Sequence, residues 1–226
     1  MGFIFYFILI MLVPLIVQVY LRNTYSKYLK VATSSGFSGA MAARRILDAN
    51  GLYDVTVEQV SGHLSDHYDP RTRSVRLSTA NYHGTSIASI SVAVHEVGHC
   101  LQQKEGYVPL RIRHALVPVA NIGSNISFIL ILIGLLLSSA NLLLLGIAAM
   151  AAAVLFQVIT LPVEFNASSR ALNMMIGSGL IRNDEEGKAR KVLNAAALTY
   201  VAATVVAIAE LLRFVLMFTG MRNNED

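Results

Sequence analysis

Two histidines four residues apart, with a glutamate directly after the first, form His95-Glu96-Val97-Gly98-His99, the stretch of this chain with the clearest chemical meaning. Residues four apart on an α-helix lie one turn above each other on the same face, so two imidazoles can converge on one zinc ion. Glu96 stands about 100° further round the helix. From there it reaches the water such a metal would bind, which is the place for a general base. A structural zinc site closes four positions with protein ligands, usually including cysteine, whereas a catalytic site uses three and leaves one open. The single cysteine, Cys100, follows His99 directly and so points to another face, where a small packed residue is expected. The third ligand must come from elsewhere, and His63, His67, His83, His114, Glu164 and Glu210 are open to that role. Glu210 falls roughly 20 Å along an apolar run at the rise of an α-helix, and Arg213, three residues on, can pair with it on one face. Glu164 stands at the end of another apolar run, just after Pro162, a residue that suits the first turn of a new helix.

The elements that must position these groups can be read from periodicity. Thr85 or Ser86 caps a helix that runs through Ile87, Ile90, Val94, Val97 and Leu101 to about Gln103 and carries the two histidines. Upstream, 36–51 has Ser38 as an N-cap, apolar residues at helical spacing and Gly51 as a stop. The period then changes to two over 55–60 and again over 74–78, with Asp69-Pro70-Arg71-Thr72 a strong turn between them. A small antiparallel sheet is expected. If 74–78 is its exposed edge, an extended substrate could add to it as a further strand.

Composition sets the surroundings. Of 226 residues, 54% are hydrophobic and only 14% charged, against about 25% charged in a soluble domain. That excludes a simple soluble enzyme and a disordered chain, and one cysteine excludes a disulfide framework. The net charge is +4, but its basic residues are scattered rather than gathered in a stripe, so no nucleic-acid partner is expected. Four apolar runs are long enough to cross a bilayer core of about 30 Å: 3–20, a run from near 115 that is densest over 126–137, 142–161, and 195–219. Ser138 to Asn141 form a tight turn in the central hairpin. The first run lacks a basic residue before it and a cleavage site after it, so a permanent anchor is expected. The domain layout read from these runs is an N-terminal anchor at 1–21, a domain at 22–114 holding the sheet and the histidine helix, a hairpin at 115–162, a segment at 163–194 and a final span at 195–219. Arg22, Lys27, Lys30, Lys104, Arg111, Arg113, Arg170, Arg182, Lys188, Arg190 and Lys191 all fall in the two long loops, against Arg222 on the other side. The positive-inside rule therefore puts both loops in the cytoplasm and both termini outside.

The chain resembles the YugP-type neutral zinc metallopeptidases of bacterial membranes. The resemblance is carried by Ser65-Asp66-His67-Tyr68-Asp69-Pro70, Leu77-Ser78, Val92-Ala93-Val94-His95-Glu96-Val97-Gly98-His99 and Leu161-Pro162-Val163-Glu164-Phe165. More distantly it is similar to HtpX and CAAX-type membrane proteases, which also place a transmembrane hairpin between HExxH and a downstream glutamate. The resemblance implies an α-helical membrane protein of about four spans with a cytoplasmic α+β domain of zincin-like, gluzincin type. It implies one Zn2+ per chain held by His95, His99 and Glu164, with Glu96 as the catalytic acid/base. In the wider group an aspartate lies four residues after the glutamate and supports a zinc-binding histidine; here that position is Ser168, and Asn166 stands where closer relatives would carry aspartate.

These readings point to a multi-pass protein of the inner (cytoplasmic) membrane that hydrolyses peptide bonds at the cytoplasmic face, in membrane-protein processing or quality control. Its expected partners are membrane lipid and protein or peptide substrates, with self-assembly or a regulatory membrane partner left open. Tyr82, His83, His67 and Arg170 are candidates for stabilising an oxyanion. Two other readings remain: a metal-binding but inactive membrane scaffold or regulator, and a site-2-type protease with its HExxH helix inside the membrane.

Overall fold

The structure is a computed structural model that describes residues 2–222, with the side chains of 2–5 and 9 left aside; Met1 of the expected anchor lies outside the described residues. The elements in chain order are α1 (Gly2–Leu29), α2 (Gly39–Ala49), β1 (Thr56–Val60), β2 (His67–Asp69), β3 (Ser74–Ser78), α3 (Thr79–His83), α4 (Ile87–Lys104), α5 (Val108–Leu136), α6 (Ala140–Gly177) and α7 (Asn183–Arg222). The protein is thus mostly helical with one small mixed sheet. Four helices, α1, α5, α6 and α7, are long and apolar enough to cross a membrane.

The chain divides into two compact units. One comprises Met1–Ile10, Val108–Pro162 and Tyr200–Asp226. Its core is built on Ile131, Leu143 and Ile147, with Leu211, Phe214 and Phe218 packed around them. Helices α5 and α6 approach closely here because Gly146 has no side chain: a Cβ on it would lie 2.9 Å from the backbone nitrogen of Ile131. Glu210 and Arg213 pair at 2.9 Å, as their spacing suggests, and the guanidinium lies 4.4 Å from the centroid of Phe214 and 5.2 Å from that of Tyr6.

The second unit comprises Met11–Tyr107 and Val163–Thr199 and contains the sheet and the histidine helix. Ser38 caps α2 by accepting a hydrogen bond from the Met41 N–H, and the helix buries Ala42, Ala43, Ile46 and Leu47 before Gly51, at φ +68°, ends the run. Ser86 caps α4 in the same way through the Ser89 N–H. Thirteen of the 18 residues of α4 are buried, and Ile90, Val94 and Val97 meet Leu47, Val75, Leu77, Ala171 and Met175 in one core.

The sheet differs from the expected antiparallel pair. Its order is β1-β3-β2, with β1 parallel and β2 antiparallel to β3. The turn at 69–72 joins β2 to β3, and β2 has only three residues, too few to show an alternating pattern. Sequence periodicity therefore shows two strands and assigns them to the wrong turn. It follows that β3 is the central strand and cannot accept an added strand; the edges are β1 and β2, and β2 is tied to α4 where the Tyr68 hydroxyl donates to Gln103. Asp66 holds this corner together. Its carboxylate accepts from the Ser78 N–H at 2.8 Å and from Asn81 Nδ2 at 2.9 Å, and Asn81 in turn accepts from the Tyr25 hydroxyl of α1.

Pro162 lies inside α6 rather than at the start of a new helix. A proline in a helix interior costs about 3 kcal/mol, but Val163, Ala167, Ala171 and Met175 beyond it are fully buried. Packing of that face offsets the missing N–H. Helices α1, α5 and α7 also extend past the apolar runs, since hydropathy marks only the part of a helix that lipid could cover.

Candidate metal centre

His95 and His99 lie one turn apart on α4, with ring centroids 4.8 Å apart and planes at 87°. Glu164 comes from α6. The two helices meet because Gly98 leaves room. A Cβ at Gly98 would stand 2.9 Å from the carbonyl oxygen of Ala167 and 3.3 Å from its Cα. Ala167 sits between Glu164 and Ser168 in sequence, and those two share a face of α6 at helical spacing. Close contact at Gly98 thus delivers a carboxylate and a hydroxyl to the two imidazoles together.

The resulting distances are informative. His95 Nε2 lies 3.3 Å and His99 Nε2 3.5 Å from the same Glu164 oxygen, and the ligand atoms of all three residues fall within 4.8 Å of one another. Charge-assisted N–H···O contacts run at about 2.7–2.9 Å, as the Glu210–Arg213 pair does. Two ligand atoms on a tetrahedral zinc, each about 2.0–2.1 Å from it, are instead about 3.3–3.4 Å apart. The donor set therefore fits a zinc ion. The Glu164 side chain is 3% exposed and the imidazoles 12–14%. Burial pulls the pKa of His99 down, but hydrogen bonding and attraction to Glu164, aided by Glu96 and Gln102, outweigh it and move it upward.

Both imidazoles are held from behind. His95 Nδ1 lies 3.2 Å from Ser168 Oγ, so the serine occupies the supporting position that the wider group gives to aspartate. His99 Nδ1 lies 3.1 Å from Gln102 Oε1. The side chain of Gln102 is fully buried, and its Nε2 donates to the Val163 carbonyl at 2.8 Å and to Asn166 Oδ1 at 2.9 Å. Asn166 Oδ1 also accepts from Arg170 Nε, while Arg170 pairs with Glu105 at 2.7 Å. Outer partners of this kind orient metal-binding histidines. Gln102 was not among the residues singled out from sequence. Its signal is weak, because Gln102-Gln103 gives two adjacent amides and only helical phase relative to His99 separates them.

The remaining candidates go elsewhere. Cys100 is buried in the core, and that burial pushes its thiol pKa up, which suits an inert packed residue. His63 packs edge-on against Tyr25, His67 Nδ1 faces the Ser65 carbonyl, and His83 Nε2 meets Gln59. Arg170 is committed to Asn166 and Glu105, away from an oxyanion role. The histidine helix α4 is not among the four helices long and apolar enough to cross a membrane.

Gly98→Ala tests the helix contact. Alanine gains about 1 kcal/mol of helix propensity, but overpacking against fixed backbone costs about 1–3 kcal/mol. A net lower melting temperature and weaker zinc retention are expected, read by thermal denaturation and metal analysis. An unchanged zinc content would show that the approach at Gly98 does not set the site.

No solved structure matches the chain. A protein from Bacillus subtilis (strain 168), named "Putative membrane protease YugP", is 57% identical over 206 residues, covering 91% of this chain and 92% of the relative. The family described as "Putative neutral zinc metallopeptidase" matches residues 3–219, which takes in both helices of the metal centre. With that coverage, the chain belongs to the family described as "Putative neutral zinc metallopeptidase".

Proposed function

We propose that this protein is a membrane-embedded, zinc-dependent endopeptidase that cleaves peptide bonds at the cytoplasmic face of the inner membrane. The observation that carries the reading is the convergence of His95, His99 and Glu164, whose ligand atoms all lie within 4.8 Å of one another, with Glu96 on the same helix. When bound, zinc supplies Lewis-acid chemistry, lowering the pKa of water to about 7 and polarising a carbonyl. His95, His99 and Glu164 would hold the ion. Ser168 and Gln102 keep the imidazoles aimed. Glu96 takes the proton of the attacking water and passes it to the nitrogen of the departing amine. An extended substrate that pairs as a strand would use β1 or β2, the edges of the sheet.

The basic residues that follow α1, flank α4 and lie around the start of α7 support a cytoplasmic site, since lysine and arginine accumulate on that side of membrane proteins. Membrane-protein segments are the substrate class that such a placement favours. The test is metal removal. Chelation should abolish cleavage of an unfolded membrane-protein substrate by the purified protein, and one equivalent of zinc should restore it. Cleavage that survives complete removal of metal would overturn the reading.

A further inference from the structure

We propose that Gln102 is a positioning residue that accepts from the Nδ1–H of His99 and so makes Nε2 the atom turned to Glu164. The argument rests on the zinc-site reading above but uses only hydrogen-bond roles. The Val163 carbonyl oxygen can accept and never donate, so the Gln102 atom 2.8 Å from it must be the amide nitrogen. That nitrogen also donates to Asn166 Oδ1 at 2.9 Å. Asn166 Oδ1 is identified independently, because Arg170 Nε donates to it at 2.8 Å and a guanidinium cannot accept. The orientation of the Gln102 amide is therefore determined twice.

Its other end follows. Gln102 Oε1 is an acceptor, so His99 Nδ1, 3.1 Å away, must carry the proton. A neutral imidazole protonated at Nδ1 presents a lone pair at Nε2. That atom lies 3.5 Å from the Glu164 oxygen.

His95 is treated differently. Its Nδ1 faces Ser168 Oγ at 3.2 Å, and a hydroxyl can donate or accept, so serine accommodates either tautomer. The two histidines of one motif thus have unequal support: His99 is set by a rigid, fully buried amide anchored to the backbone of α6, and His95 by a rotatable hydroxyl. Because Gln102 bonds to Val163 O, directly before Glu164, it also ties the second histidine to the segment that brings the carboxylate.

The test uses the full-length protein in detergent. Zinc affinity is measured by chelator competition for wild type, Gln102→Met, Ser168→Ala and His99→Ala, alongside the melting temperature of each metal-free protein. Gln102→Met should weaken zinc binding about 10–100-fold, the range for loss of an outer partner, and should weaken it more than Ser168→Ala. The metal-free melting temperature separates this from simple unfolding. Histidine 15N NMR of metal-free wild-type protein gives a readout that needs no variant of Gln102: the Nδ1 of His99, its signal assigned by its absence in His99→Ala, should carry a proton. An Nδ1 of His99 that carries no proton, or Gln102→Met binding zinc within twofold of wild type, would overturn the proposal. Failure of the zinc-site reading itself would look different, because His99→Ala would then leave zinc affinity unchanged.

Discussion

Glu96→Gln is expected to lower the rate of peptide cleavage by about 10²–10⁴-fold, the usual contribution of a positioned acid–base group, while zinc content stays at that of the wild type. Glutamine keeps the shape and polarity of glutamate but cannot take a proton from water at neutral pH. Glu96 lies outside the cluster of ligand atoms formed by His95, His99 and Glu164, so the substitution leaves the metal donors intact. It does remove one negative charge that helps raise the pKa of His99. Parallel measurement of turnover and of zinc per chain separates the two roles. Undiminished cleavage would remove Glu96 from the mechanism, and loss of zinc would make it a ligand instead.

The parts of this protein that sequence makes legible are those with local causes. Helices α2 and α4 are marked by their serine caps and apolar faces, and both caps are present as hydrogen bonds. The Glu210–Arg213 pair is legible because it lies within one helix turn. What is not legible depends on long-range pairing. The sheet was assigned antiparallel because the three-residue β2 leaves no periodic trace, and its absence makes β1 the apparent partner across the 69–72 turn. Pro162 reads as a helix start because local sequence cannot show that Val163 and Ala167 are buried against another helix.

The metal centre falls between these cases. Spacing alone gives two histidines and a general base, since those belong to one helix. The carboxylate that meets them is separated by the whole α5–α6 hairpin, and spacing leaves it among several candidates, so its selection came from family resemblance. The reason it can meet them is the absent side chain at Gly98, whose contact with Ala167 is a property of two helices together. The same contact explains how Ser168 serves at the position of an aspartate: it is near enough to His95 for a short side chain to reach.

Glu164→Ala is expected to weaken zinc binding by more than the about 100-fold that loss of an outer-shell partner costs, and to remove cleavage with it. The two imidazoles would remain, one turn apart on α4, but the third donor and its negative charge would be gone. The metal-free protein is expected to change as well, because the buried carboxylate faces both imidazoles. The clearest readout is therefore the stabilisation that zinc confers, which for a folded-state ligand reaches about 4 kcal/mol at a free concentration about 1,000 times the dissociation constant. Wild-type protein should show a large rise in melting temperature on adding zinc, and Glu164→Ala little or none at the same concentration. Glu210→Ala serves as the contrast, because that carboxylate is paired with Arg213 in the other compact unit. It should change the metal-free melting temperature while leaving the zinc-dependent rise intact. A full zinc-dependent rise in Glu164→Ala would show that the ion, if bound, takes its third donor from another residue.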